Sequence, residues 1–318
     1  MAKEPKTPVG FVFDERCAAH QQDPGHPESP KRIAVIKEAL GKEGLLSKML
    51  SISTREATDE ELRLVHTQEY IDKVRRVCAD APESLGPDVF IMTPKSLPAA
   101  LLAAGGGFAA VDAIQEGKVL RVFCDTRPPG HHALPGRAMG FCIFNNIALA
   151  ARYAQKKYGL KKILIVDWDV HHGNGTQDIF YEDANVMYFS SHHYPFYPGS
   201  GSTLEKGLGK AQGTTLNLPM KGGSGDADFI EGYERLLLPA TLDFMPQMVL
   251  ISCGFDSHFR DPLGGMGLTE KGFSRLTELT VKIADKTCGG KIVSFLEGGY
   301  NLQAIATSAL AHVRALMA

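Results

Sequence analysis

The sequence predicts an α/β fold in a single domain, with a mainly parallel β-sheet flanked by helices on both faces. Three observations predict it. Short runs rich in β-branched and aromatic residues alternate with longer helical stretches. The short runs are apolar at successive positions rather than at every second one, as strands covered on both faces are. The 33 glycines and 18 prolines of the 318 residues are scattered between the runs, with no repeat and no composition break, so one domain over residues 1–318 is expected.

Taken in order, VGFVF (9–13) is the first strand, and a helical stretch, 30–44, follows it. Helices at 68–78 and 96–115 precede the second strand, VLRVFC (119–124). A helix at 145–158 leads to KILIVDW (162–168), then NVMYFSS (185–191) and TTLNLPM (214–220). A helix at 226–243 separates these from QMVLISC (247–253), and a helix at 270–285 separates that from KIVSFL (291–296). The last helix is 302–316. Strand–helix alternation of this kind closes into a right-handed parallel arrangement.

Lys plus Arg number 34 and Asp plus Glu 36, a net charge of −2 with no basic block. That excludes an electrostatic footprint for nucleic acid or an anionic membrane. The opening MAKEPKTPVG has no apolar signal core, and the uncharged stretch 96–111 is short for a membrane span. The six cysteines show no CxxC pair, which points to reduced thiols and a cytoplasmic protein. The sequence leaves the oligomeric state open.

Four polar clusters each follow an apolar strand: Asp125 to His132, Asp167 to Gly175, Gly254 to Asp256, and Glu297 to Tyr300. In open α/β sheets ligands bind outside the carboxyl ends of the strands, so the fold gathers all four at one edge. In Asp167-x-Asp169-x-His171 alternate side chains share a face, which lets Asp169 and His171 reach one metal while Asp256 arrives from a neighbouring strand. Three protein ligands with open positions is the catalytic pattern of zinc, although an oxygen-rich set also admits Fe(II), Mn or Co. A lone Asp-x-His is commonly a solvated turn; Asp256 and two His-His pairs favour the metal. His131 and His132 follow a rigid Pro-Pro-Gly and suit acid–base work beside a metal. Tyr300, after two glycines, suits an oxyanion donor.

These residues also carry a resemblance. RPPGHH (127–132), DWDVHHGNGTQ (167–177), GFDSHFRDPLGG (254–265) and LEGGYNL (296–302) closely resemble the zinc-dependent histone deacetylase superfamily, most like class II enzymes and bacterial histone deacetylase-like amidohydrolases. GHPESPKR (25–32) and GFCIFNN (140–146) also fit, and the likeness runs from about residue 9 to 316. It implies an arginase/deacetylase-like fold and one Zn²⁺ on Asp169, His171 and Asp256. It implies His132 as general base and acid, oriented by Asn174, where many class I members carry aspartate, and His131 as an electrostatic partner held by Asp167. Tyr300 would donate to the tetrahedral intermediate.

By the same resemblance Gly140, Phe141 and Tyr197 line an acyl-lysine tunnel; most relatives have Phe where Tyr197 stands. Asp88 corresponds to a rim aspartate that grips substrate backbone, Leu263 to a gate position, and Arg32 to an arginine linked to acetate exit. A structural K⁺ is implied at Asp167, Asp169, His171, Ser190 and Ser191. The implied activity is removal of acetyl or other short acyl groups from lysine in proteins or peptides, with hydroxamates as inhibitors. The alternative is an acetylpolyamine amidohydrolase, whose polyamine-specialised relative carries an acidic gate where this chain has Leu263. A ureohydrolase would need a two-metal cluster, and an inactive acyl-lysine binding module would not need Tyr300.

Overall fold

The computed structural model describes residues 8–21, 23–80, 84–86, 88–89 and 92–318. The first seven residues of the opening MAKEPKTPVG, and of the expected 1–318 domain, lie outside them. Among the described residues eight strands form one sheet: β1 (Gly10–Val12), β2 (Leu50–Ile52), β3 (Arg121–Cys124), β4 (Ile163–Asp167), β5 (Val186–His193), β6 (Thr215–Met220), β7 (Met248–Cys253) and β8 (Ile292–Leu296). Their order is β2-β1-β3-β8-β7-β4-β5-β6, and every pairing is parallel.

Successive residues of the central strands enter opposite cores, as the unbroken apolar runs require. In β4, Ile163 and Ile165 pack on one face and Leu164 and Val166 on the other. In β7, Met248 and Leu250 share the first face, and Val249 and Ile251 the second. The helices in chain order are α1 (Lys31–Lys42), α2 (Asp59–Leu62), α3 (Gln68–Ala79), α4 (Ser96–Gln115), α5 (Asn146–Tyr158), α6 (Asn174–Phe180), α7 (Asp226–Gly232), α8 (Leu238–Phe244), α9 (Glu270–Cys288) and α10 (Leu302–Met317). Helices α3, α4 and α5 cover the first face through Tyr70, Phe108 and Ile147; α1, α9 and α10 cover the second through Ile36, Leu276 and Val313.

Helix α4 is the one helix among the described residues long and apolar enough to cross a membrane, and 78% of its apolar window is buried inside the protein, as in a core helix. All six cysteines are free and five are buried. Four elements depart from the expectations. Strand β2 was unforeseen because its three residues sit at the sheet edge, half exposed, without an apolar run. Helices α2 and α6 are too short to show a helical period. The helix expected at 226–243 is interrupted by a π-helical turn over Tyr233–Leu237.

Candidate active site

The four clusters leave four consecutive strands of the sheet, β3, β8, β7 and β4, at their carboxyl ends. Asn145 anchors the first cluster from outside: its oxygen caps α5 at Ala148 N–H, and its amide donates to Ala133 O.

Asp169, His171 and Asp256 converge, with one ligand atom from each within 4.8 Å of the others. Asp169 Oδ1 accepts from His171 N–H at 2.9 Å and lies 3.1 Å from His171 Nδ1. Its Oδ2 accepts from Gly298 N–H at 2.7 Å. A Cβ at Gly298 would stand 2.0 Å from Asp256 Oδ2, so only glycine lets this strand end approach the carboxylates. Asp256 Oδ1 accepts from Val170 N–H at 2.9 Å, while its buried Oδ2 makes no hydrogen bond and faces His171 Nδ1 at 3.2 Å. Burial and the neighbouring Asp169 push the Asp256 carboxyl up to about 7. Burial opposes the charge on His171, yet Asp169 and Asp256 hold it up to about 9. Two buried carboxylates, one with an orphaned oxygen, and an imidazole nitrogen converging on one point form a donor set that fits a divalent zinc ion.

The two histidines of the first cluster differ in their second nitrogen. His131 Nδ1 meets Asp167 Oδ2 at 3.0 Å, and His132 Nδ1 meets Asn174 Oδ1 at 2.8 Å. Their rings are 4.0 Å apart. Burial works against a charged His131, but Asp169, Asp167 and Glu297 outweigh it and hold it up to about 10. Burial pushes His132 well down, and the cationic His131 and His171 push it further. The two surroundings thus favour the charged form of His131 and the neutral form of His132.

A cavity of about 260 Å³ leads to this point, lined by Asp88, His132, Gly140, Phe141, His171, Phe196, Tyr197, Leu263 and Tyr300. All five residues expected to bind substrate are among them. Gly140 (φ 54°) and Phe141 (φ 66°) both take the left-handed conformation, which is uncommon for phenylalanine. Phe141 is held there by its N–H, which donates to Asp88 O at 3.2 Å. A Cβ at Gly140 would fall 2.2 Å from the His132 ring. The Tyr197 ring stands edge-on to His132, and its hydroxyl donates to Asp88 Oδ2 at 2.9 Å. Tyr300 packs edge-on against Phe141, with the Arg32 guanidinium 5.1 Å from its ring centre. Arg32 is fully buried; it donates to Gly299 O at 2.7 Å and to Glu28 Oε1 at 3.1 Å, and also bonds Glu297 O. For the expected K⁺ positions, the register sets Asp167 opposite Ser190, with Ser191 next along β5.

Sequence reasoning gave no role to four residues here. Glu297 is buried; its Oε2 accepts from Gly130 N–H at 2.7 Å and His131 N–H at 3.2 Å, fixing the turn that carries both histidines. Tyr188 donates to Asp167 Oδ2 at 3.0 Å. Phe196 stacks on the His171 ring at 5.6 Å. Asp261, in the DPLGG motif, binds backbone amides only. Glu297 and Asp261 had a sequence signal, an acid inside a motif full of glycine and apolar residues. Tyr188 and Phe196 look like ordinary apolar positions.

The histone deacetylase domain matches residues 26–316 of the chain. The chain belongs to the histone deacetylase family. Histone deacetylase 10, chloroplastic, of Oryza sativa subsp. japonica is 40% identical over 310 residues, covering 92% of this chain and 70% of that protein. A probable deacetylase of Archaeoglobus fulgidus is 37% identical over 302 residues, covering 93% and 82%. Human polyamine deacetylase HDAC10 is 41% identical over 301 residues; the match covers 91% of this chain and 44% of that protein. The crystal structure of the HDA15 HD domain superposes with a TM-score of 0.93 at 41% identity, covering 98% of this chain and 88% of the other. As a histone deacetylase family member the chain is a hydrolase of acetylated amides with an arginase/deacetylase-like fold, and zinc dependence is typical of that family.

Proposed function

We propose that this deacetylase removes acetyl or other short acyl groups from lysine side chains of peptides or proteins. One observation carries the reading: a cavity walled by Phe141 and Tyr197 reaches His132, Tyr300 and His171, the member of the Asp169–His171–Asp256 cluster that lines it. The aromatic walls suit the apolar stem of an acylated lysine. The Tyr197 hydroxyl is bonded to Asp88, so the inner wall stays apolar. Asp88 at the rim keeps one carboxylate oxygen for the N–H groups that a peptide's main chain presents there.

Asp169, His171 and Asp256 are the residues that would hold zinc. A zinc ion held there would supply Lewis-acid polarisation of the amide carbonyl and make a nearby water more acidic. His132 takes the water's proton on Nε2, since Nδ1 is committed to the Asn174 oxygen. His131, charged and pinned to Asp167, keeps His132 neutral before the reaction. His132 then protonates the leaving lysine amine. Tyr300 donates to the oxyanion. Asn174, a neutral amide, orients His132 without stabilising its imidazolium as a carboxylate does. A K⁺ beside Asp167, Asp169, His171, Ser190 and Ser191 is our proposal for a structural ion, supported by the adjacent strand ends. The free cysteines support a reducing compartment, and the cytoplasm is the one we propose.

The second reading, an acetylpolyamine substrate, draws on the human relative named a polyamine deacetylase. An acidic gate would grip a second ammonium at the mouth, and the apolar Leu263 at that position offers no carboxylate. A panel of acetyl-, propionyl- and butyryl-lysine peptides beside acetylputrescine and acetylspermidine tests the choice. Higher kcat/KM on the peptides is expected; a preference for acetylpolyamines overturns the lysine reading.

A further inference from the structure

We propose that Asp261 is a positioning residue that locks Tyr300 to Leu263, so that the lip of the cavity and the hydroxyl at its floor are held as one body. The proposal rests on the reading of Tyr300 as oxyanion donor. One carboxylate carries the connection. Asp261 Oδ2 accepts from Tyr300 N–H at 2.6 Å and from Asn301 N–H at 3.1 Å, and Oδ1 accepts from Leu263 N–H at 3.0 Å. Asp261 is only 8% exposed, so these charge-assisted bonds are shielded from water.

Tyr300 needs such a constraint because of its own sequence. It follows Gly298 and Gly299, and Gly299 sits at φ 114°. Two glycines before the reacting side chain give the backbone wide intrinsic freedom. Asp169 on Gly298 N–H and Arg32 on Gly299 O hold the glycines themselves, and the constraint on Tyr300 N–H comes from the loop after β7. Besides Asp261, Asn301 Nδ2 donates to Arg260 O at 3.2 Å, while the Asn301 oxygen caps α10 by accepting from Gln303 and Ala304 N–H. The turn after β8 is thereby stitched to the segment that carries Leu263. Leu263 and Tyr300 both line the cavity, so whatever displaces the lip also displaces the oxyanion donor. Only a carboxylate serves here: three N–H donors converge on it, and an amide in its place would turn an NH₂ toward one of them.

The test is a double-substitution cycle on the zinc-loaded enzyme with an acetyl-lysine peptide. Asp261→Ala should lower kcat by about 10²-fold, the scale of a misplacement near 1 Å in a reacting group. In a Tyr300→Phe background the same substitution should lower kcat by less than about twofold, because it acts through a hydroxyl already removed. Asp261→Asn should keep its oxygen on the Tyr300 and Asn301 amides and turn its NH₂ to Leu263. It should therefore raise KM while lowering kcat less than Asp261→Ala does. Zinc content is measured in every variant. If Asp261→Ala does not fold, the cycle is run with Asp261→Asn and decided by the same non-additivity. An equal loss of kcat in both backgrounds, or no loss in either, overturns the proposal. Full turnover in Tyr300→Phe alone would overturn the oxyanion reading itself, whereas an impaired Tyr300→Phe beside an unimpaired Asp261→Ala sinks only the positioning role.

Discussion

Glu28→Gln is expected to destabilise the protein by about 3 kcal/mol at neutral pH, through the loss of one buried negative charge. Glu28 is fully buried between two fully buried guanidiniums. Arg127 Nε donates to its Oε1 at 2.8 Å, Arg127 also bonds Oε2, and Arg32 donates to Oε1 at 3.1 Å. Burial alone would raise this carboxyl, but Arg127 and Arg32 hold it down to about 2 from an ordinary 4.5. At about 1.4 kcal/mol per pH unit, that depression is worth about 3 kcal/mol once the carboxylate is ionised. Removing one partner of a buried charge pair costs a similar ~3–5 kcal/mol. With ~2.1 cal/mol/K of unfolding entropy per residue, 318 residues convert 3 kcal/mol into a Tm drop of about 5 °C. The sign fixes the pH dependence. A depressed carboxyl contributes fully above its unfolded value of 4.5, and that contribution fades as pH falls toward 2. The Tm gap between parent and Glu28→Gln should therefore be widest at pH 7 and narrow steadily below pH 4.5. Thermal unfolding of both proteins from pH 7 to pH 3 checks this. A gap under 1 °C at pH 7, or one that does not shrink in acid, would refute the account of the buried triad.

Other outcomes follow from single contacts. Asp256→Ala should abolish zinc retention by elemental analysis, since it leaves one carboxylate and one imidazole; full occupancy would refute the ligand assignment. Tyr300→Phe should keep fold and zinc but lower kcat by about 10²–10³-fold, and near-parental turnover would count against the oxyanion donor. Tyr197→Phe keeps the tunnel wall and deletes the bond to Asp88. At about 1 kcal/mol for one hydrogen bond, KM for peptides should rise about fivefold at constant kcat, and a change confined to kcat would contradict the rim role. His312, buried between Thr277 Oγ1 at 2.7 Å and Ser294 Oγ at 2.9 Å, is pushed by burial down to about 3. It is neutral in the native state and protonates below about 6.5 when unfolded, so it erodes stability as pH falls from 6.5 toward 3. Chemical denaturation of His312→Gln should show a shallower loss between pH 6.5 and 5 than the parent, and an unchanged slope would show that His312 is not the group responsible.

Much of this protein is legible in its sequence because its signals are local. The apolar runs KILIVDW and QMVLISC reveal strands covered on both faces, and β4 and β7 put their alternate residues into two cores. The spacing of Asp169 and His171 reveals a shared face, and the motif likeness points to Phe141, Tyr197 and Leu263, which line the cavity. Periodicity says which way a side chain points but not which strand lies beside it. The order β3-β8-β7-β4, which joins segments far apart in the chain, was decided by tertiary packing of the two faces. The motif likeness also anticipated the partners that separate two adjacent histidines, Asp167 on one and Asn174 on the other, which the fold brings together across 36 and 42 residues. Only the tertiary structure decided the partners of Asp261, whose carboxylate meets Tyr300 N–H across 39 residues, and of the Tyr197 hydroxyl, which finds Asp88 across 109. A hydrogen bond needs its two atoms placed within tenths of an ångström. Sequence patterns specify faces and motifs, and only the folded chain supplies that placement.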